Sequence, residues 1–168
     1  MIVIPKVRLA LPGDARGIAE LSREHIEHGL SWRWTETRVL HSIASRTVNV
    51  AVIREHGSLS AFGIMDYADE TAHLALLGVH PQQRRRGLGR TLLLWLETCA
   101  RTAGIGLIRL EVRADNAGGL AFYAALGFET AIRMSGYYSA QLDAIRLQKR
   151  LRVDAGDGSA RPTDGRGG

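Results

Sequence analysis

The chain holds one cysteine, Cys99, among 168 residues. No intrachain disulfide can form, which suits a reducing compartment. Aromatic residues make up only 6% and form neither a stacking platform nor a recognition-helix pattern, so nucleic acid is disfavoured as a partner despite a net charge of +5. No apolar run approaches the roughly 20 residues that a membrane span needs. The start, Met1 to Lys6, lacks the basic-then-apolar order of a signal peptide. A cytoplasmic location without a membrane partner is therefore expected. No Gly-Lys pair occurs, which excludes the Walker phosphate loop, and the GxGxxG dinucleotide fingerprint is missing as well. His25 and His28 lie close on one predicted helix but lack a carboxylate or third ligand placed beside them, so no metal is expected.

What is present fits a single domain. Hydrophobic residues are 45% and charged residues 23%, ordinary for a chain able to bury a sizeable core. From Val153 onward (VDAGDGSARPTDGRGG) nothing apolar repeats, and 153–168 is read as a flexible tail after a domain spanning 1–152.

Periodicity orders the domain. Lys6 to Ala10 alternates as a strand, and Asp14 is placed to N-cap a helix running to about His28, with Ile18, Leu21 and Ile26 inward. Trp32 and Trp34 are read as core packing in preference to lining a substrate groove. Thr35 to Ser45 is a second helical pattern with Val39, Leu40 and Ile43 inward. Val48 to Arg54 and Leu59 to Tyr67 form a hairpin, and His73 to Val79 is apolar enough for a central strand. A helix follows over Leu88 to Ala103, burying Leu92, Leu93, Leu96, Cys99 and Ala100, so Cys99 is a packed hydrophobe and not a nucleophile. Leu107 to Arg113 alternates, with Ile108, Leu110 and Val112 on one face and Arg109, Glu111 and Arg113 on the other. A short helix over Ala117 to Leu126 and two strands, Phe128 to Met134 and Asp143 to Leu151, complete the domain. This order mixes hairpins with strand–helix–strand crossovers and predicts an α/β fold: a mixed central sheet of about six to seven strands with helices on both faces.

Between the apolar strand and its helix stands Gly78-Val79-His80-Pro81-Gln82-Gln83-Arg84-Arg85-Arg86-Gly87-Leu88-Gly89-Arg90. Two glycines allow close backbone approach, the helix start offers free amides, and three consecutive arginines add bidentate donors. The arrangement suits phosphate or pyrophosphate.

Arg84-x-x-Gly87-x-Gly89 resembles the pyrophosphate loop (Q/R-x-x-G-x-G/A) of the GCN5-related N-acetyltransferases, the GNAT family. Leu110 to Phe128 (LEVRADNAGGLAFYAALGF) is similar to a segment of the bacterial members that acetylate a ribosomal-protein N-terminus. The resemblance covers nearly all of the chain before the tail and implies a GNAT-type fold. It implies an acetyl-CoA-dependent N-acyltransferase that uses acetyl-CoA as cosubstrate, with direct transfer to a primary amine. Leu77, Gly78 and Val79 would line the pantetheine arm, Arg84, Arg85, Arg86, Gly87, Leu88, Gly89 and Arg90 the pyrophosphate. Asn116 would touch the cofactor arm, Tyr123 would protonate the thiolate, and Glu111 would take the amine's proton. Glu111 between Arg109 and Arg113 also reads as a surface salt-bridge partner, which would lower its pKa and weaken it as a base. Tyr137 and Tyr138 echo a tyrosine pair of the same enzymes. The segment His25 to Trp34 departs from them, so the acceptor stays open among protein N-termini, lysines and small amines, antibiotics included. A homodimer is compatible with the resemblance and is written in no motif. Two rivals remain at this point: a CoA-binding sensor or scaffold without catalysis, and a basic nucleic-acid-binding domain.

Overall fold

The computed structural model describes residues 4–139 and 142–151. The tail over 153–168 and the side chains of Tyr137 and Tyr138 lie outside what is described. Seven strands form one mixed sheet: β1 (Val7–Leu9), β2 (Val48–Glu55), β3 (Ser58–Ala68), β4 (Thr71–Val79), β5 (Leu107–Arg113), β6 (Glu129–Ser139) and β7 (Leu142–Arg150). Four helices accompany them: α1 (Ala15–His25), α2 (Glu36–Ala44), α3 (Leu88–Thr102) and α4 (Ala117–Ala125). The spatial order is β1-β2-β3-β4-β5-β7-β6. Every neighbouring pair is antiparallel except β4 and β5, which α3 connects as a parallel crossover. Among the described residues no helix is long and apolar enough to cross a membrane.

The sheet has two apolar faces, because side chains alternate along each strand. On one, Ala61, Met65, Leu74, Ile108, Leu110 and Leu147 pack with Leu88, Leu92, Leu93 and Leu96 of α3, and residues of α4 join them. On the other, Val50, Val52, Phe62, Ile64 and Leu76 pack with Ile18 and Leu21 of α1 and Val39 of α2. Strand β4 serves both. Ile64 pairs with Leu76 and Met65 with Leu74, so Ala75 is an unpaired extra residue. This bulge exchanges the faces, sending Leu74 to the α3 side and Leu76 to the α1 side.

Several expectations are corrected. Helix α1 ends at His25, three residues early, because Glu27 turns inward to serve the next loop. Asp14 holds the N-cap position without a side-chain cap bond. Its carboxylate instead accepts from Leu11 N at 2.8 Å, Arg8 Nη1 at 2.8 Å and Arg54 Nε at 2.7 Å, joining β1 and β2 to the helix start. Leu40 is exposed while Val39 and Ile43 carry the packing of α2. Trp32 is 40% exposed beneath Arg23, and Trp34 packs against the α1-side core under Arg38. Strand β6 runs past Met134 to Ser139. Cys99 is half-buried, and burial pushes its thiol up, as a packed residue requires.

Two ion pairs inside this frame are testable. Burial raises the Asp14 carboxyl, but Arg8, the Leu11 amide and Arg54 outweigh it and lower the group from 3.8 to about 2. The carboxylate contributes about 2 kcal/mol above its unfolded pKa, lost as pH falls through the folded value. In urea unfolding, the gap between the parent and Asp14→Asn is therefore expected near 2 kcal/mol at pH 7, closing as pH falls from about 4 to about 2. A gap independent of pH would refute the ionic origin. On α3, Glu97 is 1% exposed and accepts Lys149 Nζ of β7 at 2.9 and 3.1 Å. Lys149→Met leaves the buried carboxylate only the half-exposed Arg101, at 3.5 Å, and should cost about 3 kcal/mol; Glu97→Met with Lys149→Met should recover most of it, since the apolar pair leaves no buried charge. Equal losses in the single and double variants would overturn that account.

Candidate active site

Strands β4 and β5 pair over three rungs only, Thr71 with Leu107, Ala72 with Ile108 and His73 with Arg109. Beyond them β4 stays with β3 as far as Val79, and β5 stays with β7 as far as Arg113. The two strands thus part like a wedge, and among the described residues the β5-facing edge of Leu74–Val79 has no strand partner. Free backbone amides and carbonyls on such an edge can receive an extended ligand that carries amides of its own. Leu77, Gly78 and Val79 stand on this edge; Leu77 and Val79 back onto the α3-side core, and Phe62 presses on Gly78 from the other face.

The basic loop closes the wide end of the wedge. After Val79, Pro81–Gln83 makes one 3-10 turn, and His80 Nδ1 accepts from Gln82 N at 3.2 Å. Arg85 and Gly87 then take φ of 64° and 75°. At Gly87 this left-handed geometry has no side chain to strain it, and it aims the first turn of α3 back at the strand end. No side chain caps that helix, so its first amides point outward with the positive end of the dipole. Gly89 matters for room: a Cβ there would meet Phe122 of α4 and Val79, both at 3.4 Å. Helix α4 therefore lies close against the loop, bringing Asn116 and Tyr123 to the same side of the sheet.

Within the loop the predicted roles divide. Arg84, Arg85 and Arg90 are exposed. Arg86 turns away: its guanidinium bonds both oxygens of Glu55, at 3.2 and 2.9 Å, and also meets Gln83. Arg86 in turn holds the Glu55 carboxyl below its ordinary value. Arg86 is thus a strut from the β2–β3 hairpin to the loop. Leu88 is 1% exposed, and its side chain belongs to the core, leaving only its amide for the site. Asn116 caps α4 by accepting from Gly119 N at 2.9 Å. Tyr123 stands edge-on between Phe122 and Phe128, with ring centroids 5.0 and 5.5 Å away.

Glu111 occupies the opposite face, because Ile108, Leu110 and Val112 take the α3 side. The predicted partners on its own strand do not hold it. His73 Nε2 lies 2.5 Å from Oε2, and Arg146 of β7 donates to Oε1 at 3.2 and 3.0 Å. Burial raises this carboxyl, yet His73 and Arg146 together hold it below the usual carboxylate range. Arg113 reaches across to the segment after α1, donating to His28 O at 3.2 Å, and pairs with Asp115. That segment is organised by Glu27, which is 7% exposed and accepts from Ser22 Oγ at 2.9 Å, Arg33 N at 2.7 Å and Trp34 N at 3.3 Å. Sequence reasoning missed His73, Arg146, Glu27 and Glu55. Only His73 carried a signal, as the one ionisable residue in the run HLALLGV.

Comparison with known proteins agrees with this geometry. The family described as Acetyltransferase (GNAT) matches residues 18–128. Over 115 residues the chain is 34% identical to the ribosomal protein bS18-alanine N-acetyltransferase of Escherichia coli K12, spanning 68% of this chain and 77% of that enzyme. The crystal structure of the ribosomal-protein-S18-alanine N-acetyltransferase from Escherichia coli superposes with a TM-score of 0.77 at 25% identity, over 92% of this chain and 98% of that one. The catalytic subunit naa20 of the N-terminal acetyltransferase B complex of Schizosaccharomyces pombe is 36% identical over 93 residues, 53% of this chain and 52% of that subunit. YncA of Salmonella typhimurium, solved with acetyl-CoA, shares the fold with a TM-score of 0.76 at 23% identity, over 90% of this chain and 95% of that one. The parted strands, the glycine loop and these matches together establish that the chain belongs to the acetyltransferase (GNAT) family, as an acetyl-CoA-dependent N-acyltransferase.

Proposed function

We propose that the chain acetylates the α-amine of a protein N-terminus, admitting acetyl-CoA to the wedge from the α3–α4 side and the amine from the α1 side. The observation that carries this reading is the parting of β4 and β5 after His73 and Arg109, with the glycine loop at its wide end and Glu111 and Tyr123 on opposite faces. The names of the related enzymes, which act on a ribosomal-protein alanine and on protein N-termini, support the choice of acceptor.

In this reading Leu77, Gly78 and Val79 take the pantetheine arm along their open edge. The amides of Gly87, Leu88 and Gly89 bind the pyrophosphate, with Arg84, Arg85 and Arg90 adding charge. Asn116 contacts the arm from α4. An α-amine has a pKa near 8 and arrives largely protonated at neutral pH, so the Glu111 side of the sheet must remove a proton before nitrogen attacks the thioester carbonyl. Backbone amides near Leu77 to Val79 stabilise the oxyanion, and the Tyr123 phenol protonates the departing thiolate. No acyl-enzyme forms.

Calorimetric titration with acetyl-CoA is the first test. Gly87→Glu is expected to weaken binding by well over tenfold through added repulsion, and Gly87→Ala far less, because the strain of a Cβ at this φ is present in free and bound protein alike. Unchanged affinity in Gly87→Glu would remove the loop from the site. Thiol release with a peptide bearing a free N-terminal alanine should exceed that with an Nα-blocked, lysine-containing peptide. The reverse preference would redirect the assignment to side-chain amines.

A further inference from the structure

We propose that His73 is the group that takes the proton from the incoming amine, and that Glu111 is a positioning residue acting through it. This inference rests on the acetyltransferase reading above and concerns which atom on the acceptor side holds the proton.

The geometry begins at the last paired rung. His73 stands where β4 and β5 part, and its ring crosses the opening to reach Glu111 two residues beyond its own partner, Arg109. The carboxylate is satisfied at both oxygens, Oε2 by His73 and Oε1 by two N–H groups of Arg146. It is also covered: the Glu111 side chain is 9% exposed and the His73 ring 45%. An amine arriving from solvent on this face meets the imidazole first. A carboxylate held low by two cationic or donating neighbours is a poor acceptor for an ammonium proton. The imidazole is reached by solvent and has a second ring nitrogen not engaged by the carboxylate, so it is the better-placed proton acceptor.

Glu111 also decides which ring nitrogen is available. An ionised carboxylate only accepts, so the hydrogen of the neutral ring is assigned to Nε2, leaving the lone pair on Nδ1. The same division of labour operates where a carboxylate orients a histidine base in serine hydrolases. The other charged groups at this spot are Asp66 of β3, paired with His73 across the strands, Arg109 of β5, and Arg146 behind Glu111. Asp66 and Arg109 are exposed, leaving Glu111 as the covered counter-charge to an imidazolium.

The protons balance. Nitrogen loses two on going from ammonium to amide. One passes to His73 Nδ1, directly or through one water, and on to solvent. Nitrogen then bonds to the thioester carbon, the C–S bond breaks, and Tyr123 gives its proton to the thiolate. The second proton from nitrogen restores the phenol.

The test uses His73→Gln, whose amide can still donate to Glu111 but cannot take up a proton, and Glu111→Gln. Turnover is followed from pH 5.5 to 9.5 with saturating acetyl-CoA and a peptide with a free N-terminal alanine. In His73→Gln, kcat is expected to fall about 100-fold, with loss of the enzyme's ascending limb and acetyl-CoA affinity unchanged within about twofold. In Glu111→Gln, kcat is expected to fall about tenfold, the limb persisting at lower pH because the imidazolium has lost its counter-charge. Nitrogen-15 spectra of the parent should show the neutral His73 ring with hydrogen on Nε2, a reading that needs no turnover. The opposite tautomer overturns the assignment, as does a His73→Gln enzyme with parental kcat and pH profile beside an inactive Glu111→Gln. Turnover in the parent with His73→Gln unchanged removes only this inference; a parent that acetylates no amine removes the functional reading and this one with it.

Discussion

The site exists because two parallel strands pair for three residues and then part. A strand edge carries an unpaired N–H or C=O at every second residue, and burying such a group without a partner costs about 1–3 kcal/mol. Leu74–Val79 can leave β5 only because β3 holds the other edge through to Val79 and apolar layers cover both faces. The bulge at Ala75 lets one strand feed both layers, directing Leu74, Leu77 and Val79 to α3 and Leu76 to α1. The edge facing the wedge keeps its hydrogen-bonding groups for a ligand or water. The open edge is therefore the backbone remainder of a well-packed strand, not a cavity carved among side chains.

The same parting puts the groups of the proposed reaction on opposite sides. Tyr123 and the glycine loop share the face of α3 and α4, while Glu111, His73 and Arg146 share the face of α1. A cosubstrate and an acceptor can enter from the two sides and meet in the gap without competing for space, which is what direct transfer requires. Charged groups brace each side. The Arg86–Glu55 link ties the loop to a hairpin tip. The Arg113 bond to His28 O ties β5 to the segment after α1, whose backbone converges on Glu27. The exposed braces contribute little to stability on their own; their effect is to narrow the positions the loops can take.

Much of the fold is legible in the chain order. Strand β5 falls where its alternation places it, α4 follows its cap Asn116, and α3 follows Gly87, because each depends on a local period or cap. The loop motif was legible for a similar reason: positive φ at Gly87 and free amides at a helix start are short-range properties. The misreadings share another cause. Asp14 fits an N-cap, yet it is pulled into an ion pair by Arg54, forty residues away. Trp32 looks like core but lies on the surface, since the loop around it converges on a buried carboxylate instead.

By itself, then, the sequence determined what depends on neighbours a few residues apart: the element order, the alternating faces of β5, the glycine loop at the start of α3 and the class of enzyme its motifs resemble. Tertiary structure alone decided which charges meet. His73, Glu111 and Arg146 come from three strands, the two partners standing 38 and 35 positions from Glu111 in the chain. Their meeting follows from the sheet order β4-β5-β7 and from the rung at which β4 and β5 part, and neither leaves a local period in the chain.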